Sequence, residues 1–242
     1  MTDFRHRFKI FIDFDGTVTD IDVGENMLLK FGDVEEVKQI IDCWIKGDID
    51  SVTSWREMLA TIPAYDAVKF TDFLNQVNLR PGFREFLKHC ETSGHEVFIV
   101  SDGLDLYIKK ILGNAGLNHM TVYSNSCSIT PEGTIIPLFP YTDENCSKCA
   151  NCKRNHILSH SSDEEITIYI GDGYSDLCAA QYCDFIFARQ TLKRLCNINK
   201  ISFSPFNDFF DILVKLAEME GRKKIRKRHQ AELRRAEAYK MG

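Results

Sequence analysis

The feature that most constrains this chain is a short apolar run that stops on two carboxylates. Lys9-Ile10-Phe11-Ile12 leads directly into Asp13-Phe14-Asp15-Gly16-Thr17-Val18-Thr19. A run of this length and composition reads as a strand. Side chains at i and i+2 of an extended chain share a face, so Asp13 and Asp15 both project past the strand's end. Two such carboxylates repel each other, and one is driven toward its neutral form unless a cation lies between them.

Helical spacing follows. Trp55, Met58, Leu59 and Ile62 repeat on one helical face, as do Phe70, Phe73, Leu74 and Val77. With Val23-Met27-Phe31 and Val34-Val37-Ile41-Trp44 they predict about four short helices, broken near Gly32, Gly47 and Pro63. Strands and helices then alternate. Pro81 opens a helix to Cys90, a strand covers 96–100, and Leu104 to Ala115 mark one helical face stopped at Gly116. A strand at 120–123 precedes a hairpin over 126–141 that turns at Pro131-Glu132-Gly133. A helix over 153–160, a strand over 165–170, a helix after Asp176, a strand over 184–188 and a last helix carrying Phe206 to Leu216 complete the order. Such alternation specifies an α/β fold, a Rossmann-like parallel sheet with right-handed crossovers, here with an inserted α-helical cap. The predicted division is 1–20 and 80–220 for the core, 21–79 for the cap, and 221–242 for a basic C-terminal tail.

The 242 residues, 44% hydrophobic and 27% charged, suffice for a full core. A net charge of −5 argues against a nucleic-acid-binding body. No apolar run approaches the roughly 18 residues of a membrane span. The polar start, Met1 to Lys9, leads into the first strand without an export signal. Nine cysteines in such a chain read as reduced thiols in a cytoplasmic protein.

In open α/β sheets the functional site lies beyond the carboxyl ends of the strands. Three predicted strand ends carry polar residues: Asp13 with Asp15, Ser101 with Asp102, and Asp172 with Asp176; Lys153 opens the helix before the last of these. Taken singly each has a bland reading. A D-x-D caps or turns, Ser-Asp-Gly and Gly-Asp-Gly turn, and a lysine at a helix start is solvated. Taken together, in this order, they match the four motifs of the haloacid dehalogenase-like (HAD) hydrolases, and the chain resembles that superfamily from Phe8 to Leu216.

The resemblance implies a Mg²⁺-dependent phosphatase that forms a phosphoaspartate. Asp13 is then the nucleophile, and Asp15 the general acid and base. The metal falls to Asp13, the backbone carbonyl of Asp15 and Asp172, with Asp176 completing the site through a bound water or by fixing Lys153. Ser101, Asp102 and Lys153 become the phosphate-binding residues. The alternative of a different class is a silent phosphate-ligand-binding protein, which would have little reason to retain Asp13, Asp15, Ser101, Lys153 and Asp172 together.

Helices inserted between the first two motifs resemble the phosphoserine phosphatase-like subclass, whose cap closes over a small phosphorylated metabolite. Cys149 to Lys153, Gly171 to Leu177, Phe187 to Arg189 and Ile201 to Phe206 resemble the methionine-salvage branch. Its substrate is 2-hydroxy-3-keto-5-methylthiopentenyl-1-phosphate, and the phosphoethanolamine/phosphocholine phosphatases stand close by. Gly16 and Asp102 depart from phosphoserine phosphatases, which commonly have serine and glycine there. Arg56 and Asp22 fall near the places where that family keeps its carboxylate- and amine-binding residues. Phosphoserine and phosphoethanolamine or phosphocholine therefore stand as alternative substrates.

Two features lie outside that reading. Cys146, Cys149 and Cys152, with His156 a turn later, have the spacing of a structural Zn²⁺ site or of a cluster of reduced thiols. Arg222-Lys223-Lys224-Ile225-Arg226-Lys227-Arg228 leaves nucleic-acid contact open, against the commoner reading of a solvated helix end.

Overall fold

The opening apolar run forms strand β1 (Phe8–Ile12), whose Ile10, Phe11 and Ile12 are buried. The computed structural model describes residues 6–144, 146 and 148–241, the side chain of Met241 excepted. Residues 1–5, part of the segment read as lacking an export signal, lie outside the described residues. The chain divides into two compact units: Met1–Asp13, Leu79–Val100 and Lys153–Gly242 form one, Phe14–Asn78 and Ser101–Cys152 the other.

In the first unit β1 is the central strand. It pairs in parallel with β2 (Glu96–Leu104), Lys9 opposite Glu96 and Ile12 opposite Ile99, and with β5 (Ile166–Gly171), Phe8 opposite Ile166 and Ile12 opposite Ile170. Next to β5 run β6 (Phe185–Ala188) and the short β7 (Ser204–Pro205), also parallel. The part of β2 beyond Val100 belongs to the second unit. Parallel strands need covered faces, which explains the near-continuous apolar runs. The cover comes from α5 (Phe83–Ser93), α7 (Lys153–His160), α8 (Asp176–Tyr182), α9 (Gln190–Ile198) and α10 (Phe209–Glu220). Phe209 packs between Phe83 and Phe86, ring centroids 4.9 and 5.1 Å away. Gly82 makes that approach close: a Cβ on it would stand 2.8 Å from the Phe210 nitrogen. Helix α9 and strand β7 were not among the predicted elements.

The basic C-terminal segment is not a separate tail. Helix α11 (His229–Met241) docks on the first unit through a buried arginine. Arg235, 1% exposed, pairs with Asp184 at 3.0 Å and donates to the Tyr182 carbonyl at 2.6 Å. Arg228 donates to the Ala180 carbonyl, Lys227 to that of Asp163, and Tyr239 to those of Leu158 and Ser161. Arg222, Lys223, Lys224 and Arg226 are exposed.

The second unit holds α1 (Val23–Phe31), α2 (Val34–Lys46), α3 (Ser51–Ala60) and α4 (Ala67–Leu74), as the periodicity predicts. Each opens on an aspartate N-cap, Asp22, Asp33, Asp50 and Asp66, whose carboxylate accepts first-turn N–H groups. Caps of this kind contribute about 1 kcal/mol each. Gly47, at φ +83°, ends α2 in the left-handed region. The four helices group with α6 (Asp105–Asn114) and an antiparallel hairpin, β3 (Thr121–Ile129) and β4 (Ile135–Leu138), in which Ile129 faces Ile135. Phe31 stacks on Phe70 at 4.1 Å, and the Tyr65 N–H donates to the Gly133 carbonyl at 2.7 Å, tying the α3–α4 connection to the hairpin turn. The strand predicted at 120–123 and the first arm of the hairpin are one continuous strand.

Candidate active site

In the first unit four charged side chains meet where β1 and β5 end. Asp13 follows β1, its N–H donating to the Ile170 carbonyl at 2.9 Å; Asp172 follows β5, Asp176 begins α8 and Lys153 begins α7. Carboxylate oxygens of Asp13, Asp172 and Asp176 all lie within 4.8 Å of one another. Lys153 Nζ stands between two of them, 2.5 Å from Asp13 Oδ1 and 2.7 Å from Asp176 Oδ1, and 3.1 Å from Ser175 Oγ. All four charged residues are buried. Burial pulls the Lys153 ammonium down, but Asp13 and Asp176 outweigh it and hold the group above its ordinary range. Three carboxylates against one ammonium leave an excess of negative charge that favours a cation.

Asp176 is saturated. Its Oδ1 accepts from Lys153 and, at 2.6 Å, from the Tyr169 hydroxyl; its Oδ2 accepts from the N–H groups of Asp172 and Gly173 at 2.9 and 2.8 Å. Four donors occupy the four lone-pair sites of a carboxylate. Asp176 therefore holds Lys153 and the turn after β5, and direct metal ligation is not its geometry. Tyr169 and Ser175, absent from the sequence reading, complete this cluster.

In the second unit the turn Phe14–Val18 sets Asp15. Gly16, at φ +73°, donates its N–H to the Ile21 carbonyl at 2.9 Å, a reversal that a side chain there would strain. Asp15 Oδ2 accepts from the Tyr107 hydroxyl at 2.9 Å and the Ser101 hydroxyl at 3.2 Å, and Oδ1 from the Gly24 N–H at 3.1 Å. Burial, then the charge of Asp22, pushes the Asp15 carboxyl up to about 7, against the pull of those three donors. The Asp102 carboxylate, predicted to bind phosphate, instead accepts from the Ser51 hydroxyl and, at 2.8 Å, from the Asn151 N–H. A carboxylate that only accepts is a poor phosphate ligand; here it braces the C-terminal end of β2. The Asn151 amide donates to the carbonyls of Ser101 and Tyr123 at 2.8 and 3.0 Å. Asn151 was overlooked, although it stands two residues before Lys153 in the segment that carried the resemblance.

The specificity candidates Asp22 and Arg56 are both exposed. Asp22 caps α1, accepting from the Glu25 N–H at 2.8 Å, and the Arg56 guanidinium lies 5.6 Å from the centre of the Phe139 ring. Cys146 and Cys149 are half-buried and Cys152 is buried, none of them in a disulfide, and His156 is a buried residue of α7 whose imidazole is pushed down to about 4, first by burial. Among the described residues two groups of three or more potential ligand atoms converge, and the cysteines form neither. The second group is His89, His95 and Glu220, joined by hydrogen bonds of 2.8 and 2.7 Å to one carboxylate oxygen. His95 Nδ1 accepts from the Phe8 N–H at 3.4 Å, so its hydrogen sits on Nε2, facing Glu220 rather than a metal.

The comparisons with known proteins follow the same residues. The model of the family described as Putative Phosphatase matches residues 8–206. The chain belongs to this family. It is similar to the 2-hydroxy-3-keto-5-methylthiopentenyl-1-phosphate phosphatase of Exiguobacterium sibiricum, 30% identical over 215 residues that cover 88% of this chain and 97% of that protein. It is also similar to the protein of the same name from Bacillus mycoides, 28% identical over 215 residues, 87% of this chain and 96% of that one. Among solved structures, a phospho-aspartyl intermediate analogue of phosphoserine phosphatase superposes with a TM-score of 0.66 at 19% identity, covering 87% of this chain and 99% of that one. A substrate-bound phosphoserine phosphatase gives a TM-score of 0.67 at 19% identity, covering 87% and 98%. The fold is that of the HAD phosphatases, and this Putative Phosphatase family member is a hydrolase of phosphate esters. No helix among the described residues is long and apolar enough to cross a membrane.

Proposed function

We propose that this phosphatase hydrolyses a small phosphomonoester through a phosphoaspartate on Asp13, and that its substrate is 2-hydroxy-3-keto-5-methylthiopentenyl-1-phosphate. The observation that carries the chemistry is the buried Asp13 held at 2.5 Å by Lys153 beside Asp172. The substrate follows that of the relatives' names, and the match runs along nearly their whole length. Its nine cysteines, none of them in a disulfide, suit the cytoplasm as its compartment.

A carboxylate oxygen of Asp13 attacks phosphorus as the bond to the leaving oxygen breaks, and Asp15 gives that oxygen its proton. In the second half Asp15 takes a proton from water, the water oxygen attacks phosphorus, and the bond to Asp13 breaks to release phosphate. Lys153 offsets phosphoryl charge while fixing Asp13, and Ser101 binds a phosphoryl oxygen. Asp13 and Asp172 offer the oxygen donors that suit Mg²⁺, which when bound would stabilise charge on the transferring phosphoryl group.

The test is phosphate release with Mg²⁺ from a panel holding the methylthiopentenyl phosphate, phosphoserine, phosphoethanolamine and phosphocholine, beside Asp13→Asn. Strong preference for the methylthiopentenyl ester, lost in the variant, is expected. Preference for another member would move the substrate assignment, and turnover surviving Asp13→Asn would sink the mechanism.

A further inference from the structure

Tyr107 is a fully buried polar group of the second unit to which the proposed chemistry gives no task. It has 0% exposure and donates to Asp15 Oδ2 at 2.9 Å. Ser101 Oγ donates to the same oxygen at 3.2 Å while accepting the Gly103 N–H at 2.9 Å. The other oxygen, Oδ1, accepts one N–H, from Gly24. Each carboxyl oxygen offers two lone-pair sites. Two donors fill Oδ2, and one site remains on Oδ1.

The room for the phenol hydroxyl is kept by glycines. A Cβ on Gly103 would fall 1.8 Å from Tyr107 Oη and 2.6 Å from Asp15 Oδ2, and a Cβ on Gly24 would fall 3.1 Å from the same Oη. Residue 103 must lack a side chain for Tyr107 and Asp15 to meet. The hydrogen bond is therefore built into the backbone composition of two separate elements, strand β2 and helix α1.

We infer that Tyr107 is a positioning residue for Asp15, clamping Oδ2 so that the proton passed to the leaving group rides on Oδ1. The inference rests on the acid–base role proposed for Asp15. Ser101 cannot hold the clamp through the reaction, because in its proposed role its hydroxyl turns to a phosphoryl oxygen. Tyr107 then remains as the side-chain donor to Oδ2. Without it the carboxyl rotates about χ2, a broad torsion, and presents its proton off line. In the step itself the proton leaves Asp15 Oδ1 for the leaving oxygen as the bond from that oxygen to phosphorus breaks. Asp15 is left as a carboxylate still held by Tyr107.

The experiment compares kcat/KM for two esters: the fastest alkyl phosphate of the panel, whose leaving alkoxide needs a proton, and p-nitrophenyl phosphate, whose leaving phenolate does not. In Tyr107→Phe we expect about a 10- to 100-fold loss for the alkyl ester and a near-unchanged value for the aryl ester. Asp15→Asn should show the same selectivity, larger. Equal losses for both esters in Tyr107→Phe, or none, with Asp15→Asn still selective, would overturn the role of Tyr107 and leave that of Asp15 standing. A non-selective Asp15→Asn would remove the acid role itself, and the inference with it. Gly24→Ala, whose Cβ would press on Tyr107 Oη at 3.1 Å with no atom of Asp15 among its nearest neighbours, decides the matter should Tyr107→Phe fail to fold: selective loss supports the clamp, and undiminished alkyl turnover refutes it.

Discussion

Asp176 takes four hydrogen bonds, two on each oxygen, and so cannot tolerate a change that adds donors. Asp176→Asn turns one oxygen into an NH₂ that must face either Lys153 and Tyr169 or two backbone N–H groups. Turnover should fall by about 10- to 100-fold as Lys153 loses its anchor, with Mg²⁺ affinity kept; titration calorimetry beside steady-state rates would separate the two. Loss of Mg²⁺ binding instead would make Asp176 a direct ligand. Asn151→Ala strands the carbonyls of Ser101 and Tyr123, while the backbone N–H of residue 151 keeps its bond to Asp102. Removal of such buried partners costs about 1–3 kcal/mol, measurable as a shift in the urea midpoint. A midpoint within error of the parent would show that those carbonyls find other donors.

At the scale of elements, α11 makes the sharpest case. Arg235 and Asp184 are a buried pair, and Asp184 also accepts from the Thr167 N–H and hydroxyl at 3.0 Å each. Arg235→Met keeps the bulk but leaves the carboxylate facing a thioether, at a cost of about 3–5 kcal/mol. Urea unfolding should show it, and a loss below about 1 kcal/mol would mean that α11 docks by other contacts. Helix α7 carries a second test. Its His156 is held neutral, down to about 4 from an ordinary 6.5, first by burial and then by His160 and Lys153. The unfolded chain therefore binds a proton more readily, and the stability from His156, complete above about 6.5, drains away as pH falls toward about 4. His156→Gln should flatten the melting temperature across that window; an unaltered slope would assign the acid loss to other groups. Of these elements α7 was predicted over its observed span; α1 to α4 were predicted too, with the bounds of α3 and α4 shifted by a few residues. The segment of α11 reads as a solvated polar helix, and its docking does not show, because its anchor is a buried arginine and apolar periodicity registers no such residue.

At the scale of the molecule, the carboxylate cluster links metal to stability. A ligand that binds only the folded chain at about 100 times its Kd adds about 2.7 kcal/mol. Mg²⁺ should thus raise the melting temperature, EDTA should abolish turnover, and Asp172→Asn should erase both effects. A melting temperature indifferent to Mg²⁺, with turnover persisting in EDTA, would dissociate the cluster from the metal. The net charge of −5 coexists with exposed Arg222, Lys223, Lys224 and Arg226, so the basic segment is a local feature of the first unit rather than a property of the whole surface.

Order along the chain was enough to determine the α/β class, the four helices of the 23–74 block, and the placing of Asp13, Lys153 and Asp172 at the ends of elements; Ser101, expected just past a strand over 96–100, lies inside β2, which runs on to Leu104. Those are local properties, set by strand length, apolar period and capping, and a sequence displays them directly. Only the tertiary structure decided which polar groups face one another. Asp102 turns to Ser51 and Asn151, 51 and 49 residues away, Asp15 to Tyr107, 92 residues away, and Arg235 to Asp184, 51 residues away. It also groups the helical block with the β3–β4 hairpin. A hydrogen bond is directional and short, so its partner depends on how side chains are aimed after the chain has folded, and no spacing rule along the sequence carries that information.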